Sequence, residues 1–292
     1  MNSSIRTGST SANALQHNLV LVNIFLGLQL FGLFGSIIVL ICALIASVKR
    51  YGSWYSFMIS WIISSVSYTL LFFGGQHDDP TPTIGLCMAQ ASLIYAAPPH
   101  TAASTLGLVI QIWFSVHEGL GKKPFTGQRI WAHVFLLLPY ILWLMIVIES
   151  LVIALMYPDT VKRSSSGMYC SSRIIIPGRI SAALVSIILL LAIIVEALII
   201  ISIRKRWKAL REQTVGSLVV RGTLFMIFGF IAAVLSLTFT FLVNKGPHMN
   251  IVVSTIPIAA IIMFGTQRDL MGVLMFWRWR SAKRDVEGNP ES

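Results

Sequence analysis

The stretch VLVNIFLGLQLFGLFGSIIVLICALIASV, residues 20–48, contains no charged side chain and is long enough to cross a lipid bilayer as one helix. Six further apolar stretches follow it along the chain. We place them near Trp54–Phe73, Met88–Val116, Trp131–Met156, Ile180–Ile203, Thr223–Val243 and Asn250–Phe264. Because a bilayer core of roughly 30 Å requires about 20 apolar residues per helix, the pattern predicts an all-α integral membrane protein, a seven-transmembrane helix bundle.

The composition agrees with this fold class. Of the 292 residues, 55% are hydrophobic and only 11% are charged, whereas a soluble domain carries about 25% charged residues. Such a chain cannot cover itself with a solvated surface, so the lipid bilayer is its expected partner. We divide the chain into an extracellular N-terminal tail (residues 1–19), the seven-helix bundle (20–264) and a cytoplasmic amphipathic helix with a short tail (265–292).

The seventh apolar stretch is the shortest, since Asn250–Phe264 covers only about 22 Å as a helix. A second apolar run, Leu270–Trp279, follows it and ends in alternating tryptophan and arginine. This pattern favours an amphipathic helix that lies in the headgroup layer. The alternative is that the seventh helix continues through the second run.

The basic residues predict the orientation of the chain. A net charge of +11 would also suit a nucleic-acid-binding protein, but most of the Lys and Arg residues fall on one side of the membrane. Of the 22, 16 lie on the side of the C-terminus: Lys49, Arg50, Lys122, Lys123, Arg129, Arg204, Lys205, Arg206, Lys208, Arg211, Arg221, Arg268, Arg278, Arg280, Lys283 and Arg284. The positive-inside rule therefore predicts an outside N-terminus and an inside C-terminus, and we expect no nucleic-acid partner.

Two of the three cysteines lie on the predicted outer side. Cys87 is near the start of the third span and Cys170 is in the second outer loop, whereas Cys42 lies inside the first span. Disulfides persist in the oxidising outer compartment, so we predict a Cys87–Cys170 bond. The alternative is two unpaired outer thiols. Asn2 begins a weak glycosylation sequon on the same side.

Two acidic residues lie within predicted spans, where a charged side chain costs roughly 2.5–3.5 kcal/mol on insertion scales. Glu149 is either a ligand-facing acid or a protonated acid that bonds a neighbouring helix. For Glu196 we predict a structural or gating role, since Arg204 and Lys205 follow two to three turns later.

The third span contains a second group of polar candidates. His100 follows Pro98 and Pro99, and two prolines bend a helix because they remove backbone donors. His100 is either a ligand-sensing residue in a central pocket or a packed neutral histidine. Tyr95 and Gln90 are further candidates for the lining of a ligand site.

A cysteine at the outer end of helix three that pairs with the second outer loop resembles the arrangement of G-protein-coupled receptors. The seven spans, the orientation and the basic third inner loop also resemble that architecture. The rhodopsin-like motifs differ, since the third span ends in Ser115-Val116-His117-Glu118. The seventh span ends in Phe264-Gly265-Thr266-Gln267-Arg268, which looks more like the cyclic-AMP-receptor-like and fungal orphan receptors.

The resemblance implies a set of G-protein-facing residues at the inner ends of the helices. These candidates are Glu118, Arg204, Lys205, Arg206, Lys208 and Arg268. Glu118 either pairs with a basic residue of the third inner loop in the resting state or is a solvated terminal carboxylate. The basic loop is either a G-protein contact surface or an anchor to anionic lipid.

The combined prediction is a multi-pass plasma-membrane receptor that passes a signal from an unknown small-molecule or peptide ligand to a heterotrimeric G protein. We expect no enzyme activity, cofactor or metal, because the sequence has no His/Cys/Asp/Glu cluster with metal spacing and no nucleophile elbow or phosphate loop. The alternative is a small secondary transporter or channel that uses Glu149 and Glu196.

Overall fold

A computed structural model describes residues 3–45, 50–77, 79, 81–119, 127–164, 166–204, 220, 222–227, 230–231 and 248–266. These residues are almost all helical. The long helices are α1 (Ser3–Ile45), α2 (Gly52–Phe73), α3 (Ile84–Gly119), α4 (Gln128–Met156) and α5 (Ile175–Arg204). Shorter elements are a 3₁₀ turn (Pro158–Thr160), strands β1 (Val161–Arg163) and β2 (Cys170–Ser172), α6 (residues 222–227), α7 (His248–Ser254), α8 (Ile256–Ala260) and a π-helical turn (Ile261–Gly265).

Within the described ranges, four helices are long and apolar enough to cross a membrane. Their apolar segments are Val20–Ile45, Gly52–Phe73, Ile130–Met156 and Ile175–Ile203. Large aliphatic side chains cover the outward faces of these helices, as Leu144 and Ile187 do on α4 and α5. Exposed apolar faces of this extent need lipid as their solvent. The structure is therefore mostly helical, and its candidate membrane-spanning helices are compatible with a membrane protein.

Helix α3 is the most enclosed helix and packs against α2, α4 and α5. Its side chains are buried from Cys87 to Val116 on several faces, including small and polar ones. Since protein rather than lipid surrounds this helix, its hydropathy can be lower than that of its neighbours. At Gly107, an added Cβ would lie 3.0 Å from the Phe135 carbonyl oxygen, so glycine permits the close approach of α3 and α4.

The seventh apolar stretch is a broken helix that packs against α1. Helix α7 ends at Ser254, and α8 carries Pro257 near its start. Proline lacks an N–H and clashes with the preceding turn, which explains the break. Two α1 glycines allow the close contact. A Cβ added at Gly32 would lie 2.8 Å from Pro257 Cβ, and a Cβ added at Gly35 would lie 2.6 Å from Ile261 Cδ1.

Part of the expected organisation lies outside the described residues. Helix α1 begins at Ser3, so it includes most of the segment that we expected to be an N-terminal tail. Its apolar part begins at Val20, as the sequence predicts. The described part of the sixth span is limited to residues 223–227 and 230–231. Asn2, Lys205, Arg206, Lys208, Arg268 and the run Leu270–Trp279 lie outside the described residues.

Candidate functional site

A short β-hairpin covers one end of the helix bundle, and we call this end the hairpin end. Strands β1 and β2 pair antiparallel, with Arg163 opposite Cys170. Cys170 forms a disulfide with Cys87 of α3, and their Cα atoms lie 5.3 Å apart. The predicted disulfide is therefore confirmed, and it joins the hairpin to the central helix.

Gln90, one turn further along α3, provides a second link to the hairpin. Its side-chain oxygen accepts a hydrogen bond from the Cys170 backbone N–H at 2.9 Å. Its side-chain nitrogen lies 3.2 Å from the Tyr68 carbonyl oxygen and 3.4 Å from that of Ser67. Because Gln90 is fully buried, one side chain connects α2, α3 and the hairpin at a position that water does not reach.

Tyr95 binds the hairpin two residues further along β2. Its hydroxyl donates to the Ser172 carbonyl oxygen and accepts from the Ser172 N–H, at 3.2 Å in each case. Both Tyr95 and Gln90 therefore satisfy backbone groups of β2. The structure brings these two predicted site residues together around one strand.

The turn of the hairpin inserts apolar and aromatic side chains between the helix ends. Met168 is buried against Leu21, Val22 and Phe25 of α1. The Tyr169 ring lies 5.7 Å from Tyr68 and 6.2 Å from Phe25, measured between centroids. The hairpin therefore contacts α1, α2 and α3 at once and closes this end of the bundle.

Tyr169 also reaches the seventh apolar stretch, where its hydroxyl donates to the Asn250 side-chain oxygen at 3.1 Å. Burial raises the pKa of Tyr169 to about 12, and the nearby Tyr95 contributes in the same direction. The hydrogen bond to Asn250 lowers the pKa and only partly offsets these effects. The phenol is therefore neutral at physiological pH and acts as a hydrogen-bond donor.

Arg163 fixes the hairpin to the loop between α2 and α3. Its guanidinium donates to the carbonyl oxygens of His77 and Asp79, and its Nε donates to the Gly167 carbonyl oxygen at 2.9 Å. One arginine thus joins two loops and also shapes the hairpin turn. We refer to the hairpin with its anchoring residues Arg163, Met168, Tyr169, Cys170 and Ser172 as the hairpin cap.

His100 lies away from the hairpin cap and faces α4. Its ring centroid is 5.1 Å from that of Tyr140 and 5.9 Å from that of Trp143. The residue is fully buried, and neither ring nitrogen has a hydrogen-bond partner within the described ranges. The structure thus places His100 in an aromatic α3–α4 contact, about one and a half turns from Tyr95.

The two intramembrane acids lie in different environments. Glu149 of α4 is half-buried, and its Oε2 accepts from the Ser150 hydroxyl at 3.1 Å. Glu196 of α5 is buried, and its Oε1 accepts a hydrogen bond from the Thr223 hydroxyl of α6. The Glu196 contact therefore links α5 to α6, a partner that the sequence did not indicate.

Four aromatic rings form a cluster near the opposite end of the bundle. Phe57 lies 5.3 Å from Phe225 and 4.9 Å from Phe264, and Trp61 lies 6.2 Å from Phe225. The rings come from α2, α6 and the π-helical turn. We call this set the aromatic cluster, and it holds α6 against the rest of the bundle.

Glu118 lies at the same opposite end, where α3 finishes. Its Oε1 accepts a hydrogen bond from the Gln128 side-chain nitrogen at 2.8 Å. This exposed contact joins α3 to the start of α4. The side chain of Arg204, at the end of α5, lies outside the described residues.

Comparison with known proteins gives no assignment. No protein-family model matches the chain. No curated protein sequence matches it. Within the described ranges, no group of three or more His, Cys, Asp or Glu side chains is arranged to hold a metal ion.

Proposed function

We propose that this protein is a seven-helix plasma-membrane receptor, with the N-terminus outside and the C-terminus inside. The single observation that carries the proposal is the hairpin cap, which a disulfide ties to the central helix α3. With the basic residues on the opposite side, the positive-inside rule puts the cap outside. A divergent fungal receptor of the cyclic-AMP-receptor-like or orphan type fits this arrangement.

The ligand, a small molecule or peptide, would act on the hairpin cap and on the residues beneath it. Gln90 and Tyr95 hold β2 by hydrogen bonds to its backbone. A ligand that replaces these bonds would move the hairpin relative to α3. His100 and Glu149 are further candidates, because each has a buried polar atom without a partner in the described part of the chain.

The signal would reach the inner side through α5 and α6. The Glu196–Thr223 hydrogen bond and the aromatic cluster hold α6 in place. When these contacts separate, an inner surface opens to a heterotrimeric G protein. Candidate contacts on that surface are Glu118, Arg204, Lys205, Arg206, Lys208 and Arg268.

The test is reconstitution of the full chain in lipid nanodiscs with heterotrimeric G proteins and a ligand library. The proposal expects nucleotide exchange that depends on the protein and increases with at least one ligand. Arg163→Ala releases the cap from the α2–α3 loop and should change the ligand response. Lys162→Ala is the matched control, since Lys162 is an exposed neighbour on the same strand.

A second candidate function is a small transporter or channel that uses Glu149 and Glu196. The observation that favours it is the buried Glu149 Oε1, which has no hydrogen-bond partner among the described residues. Intramembrane acids of this kind often mark ion or substrate paths. Solute or proton flux in liposomes that Glu149→Gln abolishes, without nucleotide exchange, would establish this function instead.

A further inference from the structure

A row of buried polar atoms follows the contact between α1, α2 and the broken seventh stretch. Gln29 Oε1 and Ser36 Oγ belong to α1, and Ser65 Oγ and Trp61 Nε1 belong to α2. All four side chains are more than nine-tenths buried. None of these four atoms has a hydrogen-bond partner within the ranges that the structure describes.

The helix geometry places these atoms on one seam. Gln29 and Ser36 lie about one turn on either side of Gly32, on the same face of α1. An added Cβ at Gly32 would lie 3.4 Å from Ser65 Oγ. Trp61 precedes Ser65 by one turn on α2. Ser65 therefore lies at Gly32, and Gln29, Ser36 and Trp61 each lie about one helical turn along the chain from Gly32 or Ser65. We call this part of the contact the glycine seam.

The broken seventh stretch borders the same region. At Gly32, an added Cβ would lie 2.8 Å from Pro257 Cβ, so Pro257 lies directly against the seam. In a regular helix the N–H of residue 257 would donate to the Val253 carbonyl oxygen. Because Pro257 has no N–H, that hydrogen bond cannot form. Membrane proteins tolerate such breaks where side chains or ordered waters satisfy the freed groups.

We propose that the glycine seam binds a small cluster of buried water molecules. An unsatisfied polar group in an apolar interior is costly, and a buried water typically makes about three hydrogen bonds to such groups. Water can accept from the Trp61 N–H and donate to the Gln29 oxygen, and it can do both with the serine hydroxyls.

The chemistry of the seam selects water over a cation. The Trp61 N–H only donates, so it repels a positive ion. Helices α1 and α2 and residues 248–265 contain no Asp or Glu in their sequences, so the seam offers no charge to balance one. The water would connect α1 and α2 at the level of the helix break.

Hydroxyl-radical labelling of the intact protein in lipid nanodiscs, read by mass spectrometry, tests this proposal. Radicals form from local water, so Trp61 should be labelled well above Met58. Met58 is an internal reference because it is buried on the same helix, one turn away, and its thioether oxidises readily. Trp61 labelling no higher than that of Met58 would overturn the proposal.

Variants add a second criterion. Ser36→Ala combined with Ser65→Ala removes two water partners, so Trp61 labelling should fall about fivefold. Ser60→Ala is the matched control, since the buried Ser60 hydroxyl already bonds the Phe57 carbonyl oxygen at 2.7 Å. Gln29→Leu, which preserves side-chain size, provides an independent variant with the same expected decrease. Unchanged labelling in the serine double variant or in Gln29→Leu would also overturn the proposal.

Discussion

The Gln90 side-chain oxygen lies 2.9 Å from the Cys170 backbone nitrogen, next to the disulfide that joins Cys170 to Cys87. The covalent bond and the hydrogen bond hold the same strand residue to the same helix. Gln90 also bonds the backbone of α2, so the hairpin position is coupled to two helices. A displacement of the hairpin would therefore alter hydrogen bonds that involve both α2 and α3.

Gln90→Leu should destabilise the protein by roughly 2–4 kcal/mol, because it removes several hydrogen bonds and leaves the buried Cys170 N–H unsatisfied. Thermal unfolding in detergent or nanodiscs measures the effect. Gln128→Leu is the matched control, since its bond to Glu118 is exposed, and it should change stability by no more than about 0.5 kcal/mol. Equal effects of the two variants would contradict this role for Gln90.

Cys87→Ser and Cys170→Ser should each lower stability by about 2–5 kcal/mol, and the double variant should cost no more than either single one. The reason is that each change removes the same bond. Cys42→Ser is the control, because Cys42 is a free thiol. Additive losses from the two substitutions, measured by thermal unfolding, would show that the cysteines act independently.

Tyr169→Phe should cost about 1 kcal/mol below pH 10, since it removes the hydrogen bond to Asn250. The pKa of Tyr169 is about 12 in the folded protein and about 10 in an unfolded chain. Folding therefore favours the neutral phenol, and its stabilising contribution is complete below pH 10 and declines as the pH rises towards 12. Denaturation of both proteins across pH 8–12 should show the wild-type advantage decreasing. An advantage that grows with pH would refute the assignment.

Gly107→Ala should destabilise the protein by about 1–3 kcal/mol, because the new Cβ would press on the Phe135 carbonyl and separate α3 from α4. Gly27→Ala is the matched control in α1, where an added Cβ meets nothing within 4 Å. There we expect a stabilisation of about 0.5–1 kcal/mol from helix propensity. Thermal unfolding should therefore shift in opposite directions for the two variants.

The sequence predicts the outline of this fold better than its contacts. Uninterrupted apolar runs locate α1, α2, α4 and α5, because helices that face lipid must be apolar along their length. The disulfide could be predicted, since the topology expected from the sequence puts both cysteines on the same side of the membrane. The central position of α3 could not, because a polar helix with buried small residues is recognised only once its neighbours are known.

The partners of the site residues needed the structure. His100 packs on Tyr140 and Trp143, and this pairing depends on the relative height and rotation of two helices. The hydrogen bond between Glu196 and Thr223, which are separated by 27 positions, likewise depends on how two helices are placed relative to each other. The sequence analysis missed Met168 and Tyr169, and their position beside Cys170 is the signal that could have drawn attention to them.

Basal nucleotide exchange by Glu196→Ala most directly tests receptor signalling through α5 and α6. The substitution removes the bond to Thr223, so reconstituted protein should stimulate GTP exchange on a heterotrimeric G protein more than wild type does, without ligand. Ser186→Ala on the exposed face of α5 is the control and should match wild type. If folded Glu196→Ala and wild type both leave exchange at the level of empty nanodiscs, the receptor account is contradicted.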